Sequence, residues 1–198
     1  MKTIFLYLTC LAAPIVFSAC GSNSNQKETD SVAIAKKENK AKLPDSSVNN
    51  DAGFAVTAAE EHLMQAKTAK LCETNASLDT MVKFGRTLLK NHTTIKEQLT
   101  NWAKLNNVSL PDSLTSDNKK KYDDLAKEKD RNFEKKFTQY IITGYKELLD
   151  NYRKEAETGK DTLLKAWTRD KIRILETDLQ TAQWIDAVLA KPPLKNKS

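Results

Sequence analysis

The sequence is poor in the residues that interrupt helices or build special sites: its 198 residues include 5 glycines, 5 prolines, 3 cysteines and 2 histidines. The glycines stand singly at 21, 53, 85, 144 and 159. A P-loop or dinucleotide fingerprint needs closely spaced glycines so that backbone N–H groups can approach a phosphate, so neither is present. A β-sandwich is excluded on similar grounds, because its many tight turns call for Gly, Pro and Asn at set positions. Two histidines exclude a histidine-rich metal centre. No proline falls between Phe54 and Leu110 or between Asp112 and Lys191, so long helices can run unbroken. With 39% hydrophobic residues available to cover their faces, the composition predicts an all-α fold.

The first residues read as an address. Lys2, an apolar run from Ile4 to Phe17, and then Ser18, Ala19 and Cys20 form the charged, hydrophobic and small-residue parts of a secretory signal over residues 1–19. The run is too short to remain as a membrane-spanning helix. Cys20 after Ser-Ala, with Gly21 and Ser22 beyond, resembles the lipobox of bacterial lipoproteins, and that resemblance implies lipidation of Cys20 as the mature N-terminus. Residues 20–50, rich in Ser, Asn and Lys and without an aromatic, cannot bury enough apolar surface to fold by themselves. They predict a disordered tether, with a flexible reach of roughly 30 Å from a membrane surface. Cys10 leaves with the signal and Cys20 carries lipid. Cys72 is then without a disulfide partner and predicts a small buried apolar residue.

Residues 51–191 predict a packed domain. Ala58, His62, Gln65, Ala69 and Cys72 recur at alternating steps of four and three, which is one face of a helix over about 54–73. Asn75 and Ser77 supply a break and an N-cap for a second helix to about 106, with the stripe Met81, Gly85, Leu88, His92, Ile95, Leu99 and Trp102. The segment from Asn106 to Asn118 is a loop. A third helical region spans about 118–157, with a break near Lys129 and Asp130, and it aligns Leu125, Phe133, Phe137, Ile141, Tyr145, Leu148 and Tyr152. Gly159 is placed as a left-handed stop and Asp161 as the next N-cap. The fourth helix, about 161–190, carries Leu164, Trp167, Lys171, Ile174, Asp178, Thr181, Ile185 and Val188 on one stripe, beside Leu175, Leu179 and Ala182, and ends before the two prolines of the basic tail at 192–198. Four amphipathic segments with short connections predict an antiparallel four-helix bundle.

The blocks FAVTAAEEHLMQAKTAKL (54–71) and TMVKFGRTLLKNHTTIKEQLTNWAKLNNVSLPDSL (80–114), with Phe133-x3-Phe137-x7-Tyr145, resemble the periplasmic ferritin-like family known as domain of unknown function family 4142. The resemblance implies a ferritin-like bundle in an exported or outer-membrane protein. It also implies a metal set made of a Glu on the first helix and a His on each of the next three. Those positions are Gln65, His92, Tyr145 and Asp178 in this chain, so only His92 keeps the family's residue. His62, three residues before Gln65, shares its helix face and could substitute for the lost carboxylate.

Two readings follow. In the first, His92, Tyr145 and Asp178 form a buried hydrogen-bonded network, no cofactor is held, and the protein is a non-enzymatic structural or binding module lipid-anchored in the cell envelope. In the second, His92 and Asp178, helped by Gln65, Tyr145 or His62, hold one divalent Fe, Mn or Zn ion in a metal-binding or oxidase-like protein. The di-iron carboxylate chemistry of such bundles needs two Glu-x-x-His motifs, and the sequence contains none. The pI of 9.1 and the Lys119-Lys120-Lys121 run do not indicate a nucleic-acid partner, since the aromatics fall at core spacing and not among the lysines. The implied partners are the membrane, through the lipid, and an envelope component of unknown identity.

Overall fold

The computed structural model describes residues 30–43 and 45–191. The signal, Cys20, the first part of the tether and the 192–198 tail lie outside the described residues. Among the described residues six helices account for the fold: α1 (Ser31–Lys42), α2 (Ser46–Asn75), α3 (Asp79–Leu105), α4 (Ser116–Ala126), α5 (Asp130–Thr158) and α6 (Thr162–Leu189). Among the described residues no helix is long and apolar enough to cross a membrane. The four long helices hold 27 to 30 residues, hence run about 40 to 45 Å.

α2 packs along α3, and α5 along α6, as two helical hairpins; α2 meets α5 and α3 meets α6 across them. All four contribute to one core. Toward one end that core is rich in aromatic rings, with Phe133 stacked on Phe137 at 5.5 Å and Phe84 edge-on to Phe137. Burying each such ring contributes about 1.5 to 3 kcal/mol. At the other end Phe54 meets Tyr152 edge-on at 5.1 Å. Histidines and tyrosines occupy the stretch between.

The tether expectation needs correction from residue 30 onward, because α1 is folded against the domain and α2 starts at Ser46. Asp30 caps α1 by accepting from the Val32 and Ala33 N–H groups. Ala35 and Asn39, four residues apart, form its buried face. The Asn39 amide donates to the Ser109 carbonyl at 2.9 Å and accepts from the Ser109 N–H at 2.7 Å, so α1 straps the loop after α3. A face made of one alanine and one amide leaves no hydrophobic signal in the sequence.

Other boundaries also differ from the sequence expectation. Ser77 is not the N-cap of α3; Glu134 of α5 accepts from the Ser77 N–H, the Ser77 hydroxyl and the Leu78 N–H, supplying the cap from a neighbouring helix. α3 ends in a Schellman turn in which Asn107, at φ 55°, takes the left-handed position and Val108 N–H reaches back to the Ala103 carbonyl. Gly159 is not left-handed, at φ −54°. Glycine is required there by space, since a Cβ would lie 2.4 Å from Oε1 of Glu155. Asp161 does cap α6, through the Leu164 N–H. The buried face of α6 is turned slightly toward the flanking residues: Leu164, Lys171, Asp178 and Ile185 of the stripe are joined by the expected Leu175 and Ala182 and by Thr168 and Leu189, while Val188 is exposed.

Candidate functional site

Mid-length on the four long helices, the apolar stripes are interrupted by His62 and Gln65 on α2, His92 on α3, Tyr145 and Tyr152 on α5, and Asp178 on α6. All six are buried. Helical periodicity explains why they meet, since each occupies a stripe position that turns toward the core.

The contacts form a chain. Tyr152 hydroxyl meets Nε2 of His62 at 2.5 Å. Nδ1 of His62 meets Nδ1 of His92 at 2.6 Å. Nε2 of His92 meets the Tyr145 hydroxyl. Beyond Tyr145 lies Asp178, close enough for the phenol and the carboxyl to perturb one another, and both oxygens of Asp178 accept from the Asn91 amide at 3.1 Å.

The ionised end of the chain fixes every proton along it. A carboxylate only accepts, so beside Asp178 the Tyr145 O–H is best turned toward the carboxylate, and its oxygen then accepts from Nε2–H of His92. His92 then has a bare Nδ1, which accepts from Nδ1–H of His62. His62 has a bare Nε2 in turn, which accepts from Tyr152 O–H. Each imidazole is neutral, and the two histidines are opposite tautomers. Electrostatics agree: burial lowers the His92 pKa to about 3, and burial together with His92 holds His62 well below the usual histidine range. Burial raises Asp178 to about 6, against the opposing hydrogen bonds from Asn91 and Tyr145. Burial first, then Asp178, pushes Tyr145 far up, so it stays a phenol.

The metal set implied by the resemblance does not fit these donors. Among the described residues no three His, Cys, Asp or Glu side chains converge on a point where an ion could be held. The two Nδ1 atoms, 2.6 Å apart, share a proton at a separation shorter than the roughly 3.3 Å between nitrogens bound at about 2.0 Å to one tetrahedral ion. The other imidazole nitrogens are engaged by tyrosines. Gln65, at the position of the family's Glu, is fully buried with neither amide atom hydrogen-bonded. A lone neutral amide oxygen is a weak ligand for a divalent ion.

Of the sequence-predicted site residues, His62, His92, Tyr145 and Asp178 are brought together, and Gln65 is beside them without a partner. His62 is fully buried at the centre of the chain. Lys171 pairs with Asp170 at 2.6 Å. The sequence places Tyr152 in the core without assigning it to the site, and sets Asn91 where the resembling family has Asp without giving it a role. Their signals were present: Tyr152 is two turns from Tyr145 on one face, and Asn91 adjoins His92. Cys72 is buried as expected, and burial raises its thiol to about 12, which keeps it unreactive.

No curated protein and no solved structure matches the chain. The family model described as domain of unknown function DUF4142 matches residues 34–185, from within α1 to near the end of α6. With that match covering most of its length, the chain belongs to the DUF4142 family.

Proposed function

We propose that the chain is a lipid-anchored protein of the bacterial cell envelope, attached through Cys20 to the outer membrane on its periplasmic side or surface. Its helical domain is a ferritin-like four-helix bundle of α2, α3, α5 and α6. It acts as a non-enzymatic structural or binding module in which a proton-ordered relay replaces the metal position of the family. The observation that carries this reading is that every imidazole nitrogen of His62 and His92 is engaged by a protein partner. The relay also has a closed end. Tyr152 is fully buried and its hydroxyl meets only His62 among the described residues, so a proton delivered from Asp178 has no exit. Such a chain orders the core and conducts nothing.

Thermal melts of protein purified without chelator, with and without added Mn, Fe(II) or Zn, test the core. The expected result is a melting temperature indifferent to metal and a loss of about 1 to 3 kcal/mol in His92→Ala, from partners left unpaired. Gln65→Met should hold or raise stability, since it removes an unpaired buried amide. A metal-dependent rise that disappears in both His92→Ala and Asp178→Ala would overturn the relay reading and establish a rearranged metal site. The anchor is tested separately. Cys20→Ser should shift the protein to the soluble fraction and abolish labelling by a fatty-acid analogue, and unchanged labelling would remove the lipid from the account.

A further inference from the structure

At the end of the domain where α2 begins and α5 turns into α6, a cavity of about 390 Å³ is lined by Asp51, Phe54, Asn151, Lys154, Glu155 and Lys160, among others. It is built around two carboxyl groups. Asp51, 2% exposed, is fixed by the backbone: its oxygens accept from the Lys160 N–H at 3.0 Å and the Asp161 N–H at 2.6 Å. Glu155, 6% exposed, lies beside Asp51 and leaves Oε1 without a hydrogen-bond partner. Its carboxyl lies folded over Gly159, where any Cβ would displace it. An unpaired acceptor that is more than nine-tenths buried in a cavity wall calls for a donor that the protein does not supply.

The rest of the lining narrows what that donor belongs to. Lys154 and Lys160 make no ion pair among the described residues, so two ammonium groups also lack counter-charges. They disfavour a bare metal cation, and no group of three ligating side chains is there to hold one. A simple anion would leave the Glu155 acceptor unmet. One side of the cavity is the Phe54 ring, which offers an apolar surface. We propose that this cavity binds a small zwitterionic amino compound, a free α-amino acid or a short peptide, with its ammonium group on Glu155 beside Asp51 and its carboxylate toward Lys154 and Lys160.

The proton balance follows from the groups that face Glu155. Burial, then Asp51 and Asp161, raise Glu155 to about 7 against the opposing effect of Lys165. Below that pH the empty site holds a proton on Glu155. An arriving ammonium favours the carboxylate, and the proton leaves to solvent. Binding near neutrality therefore releases protons.

The test is calorimetric titration of the full chain near pH 6.5 in two buffers of different ionisation enthalpy. The probes are alanine, leucine and alanyl-alanine, with N-acetylalanine, alaninamide and glucose as controls. The expected result is saturable binding of an amino acid or of the dipeptide, the tighter of the two identifying the source, with proton release. Acetylation or amidation of the probe, Glu155→Gln, or Lys154→Met with Lys160→Met should each weaken it about tenfold or more. His92→Ala, which disturbs the relay, should leave the affinity unchanged, so failure of the relay reading and failure of this one are distinguishable. Absence of binding at concentrations on the order of 10 mM, binding insensitive to Glu155→Gln, or equal binding of glucose would each overturn the proposal.

Discussion

The smallest scale at which this protein is informative is the single proton. In the relay from Tyr152 to Asp178 each side chain has one role as donor or acceptor, and both histidines must be neutral for the chain to close. That requirement has a thermodynamic consequence. Once unfolded, His62 and His92 return to the ordinary value near 6.5, so below that pH the unfolded state binds protons that the native core refuses. Stability contributed by the pair is complete above about pH 6.5 and declines as pH falls toward about 3. The carboxyl groups work in the opposite sense: Asp178, raised to about 6, and Glu155, raised to about 7, keep protons that the unfolded chain would release, so they lower stability as pH rises through the same range. The two trends separate by comparison with a His62→Gln, His92→Gln variant. From pH 6.5 down to about 4, the melting temperature of the wild type should fall more steeply than that of the variant. Parallel curves would show that the imidazoles are not buried as neutral bases.

At the scale of the helix, contacts from distant elements decide what local propensity leaves open. α3 has no cap of its own and borrows Glu134 from α5. Gly85 lets α3 approach α2 closely: a Cβ there would lie 2.4 Å from the Cys72 Cβ and 2.9 Å from the Ala69 carbonyl oxygen. Helix propensity alone makes Gly85→Ala favourable by about 1 kcal/mol. Both obstacles belong to the rigid α2 backbone and first side-chain atoms, so overpacking should prevail with a net loss of about 1 to 3 kcal/mol. Chemical denaturation measures this directly, and a stabilised Gly85→Ala would mean that α2 and α3 can move apart freely.

At the scale of the whole molecule, the boundary of the folded unit lies earlier than composition suggests. Asp51 is a plausible start by sequence because nothing before it carries an apolar stripe. The structure gives α1 a buried face, a clamp on Ser109 through both halves of the Asn39 amide, and an early first turn for α2. A chain beginning at Asp30 should therefore melt cooperatively at the full-length temperature. One beginning at Asp51 should lose about 1 to 3 kcal/mol from the two Asn39 bonds alone and show faster amide exchange over the loop that α1 straps. Equal stability of the two would return residues 30–50 to the role of a tether.

The sequence by itself determined that this chain is helical, where its long helices run to within a few residues except at the start of α2, and which residues face inward on α3 and α5. Those features depend on periodicity and on the scarcity of breakers, both local properties. It also brought His62, Gln65, His92, Tyr145 and Asp178 forward as interior polar groups, because a polar residue on an apolar stripe is visible without coordinates. Only the tertiary structure decided that α1 is part of the fold, that Glu134 caps a helix 55 residues away in sequence, and that the interior polar groups bond to one another in a fixed order from Tyr152 to Asp178. Periodicity gives the face a residue occupies. It carries no information on which atom of a neighbouring helix lies within 3 Å, and hydrogen-bond order depends on that distance.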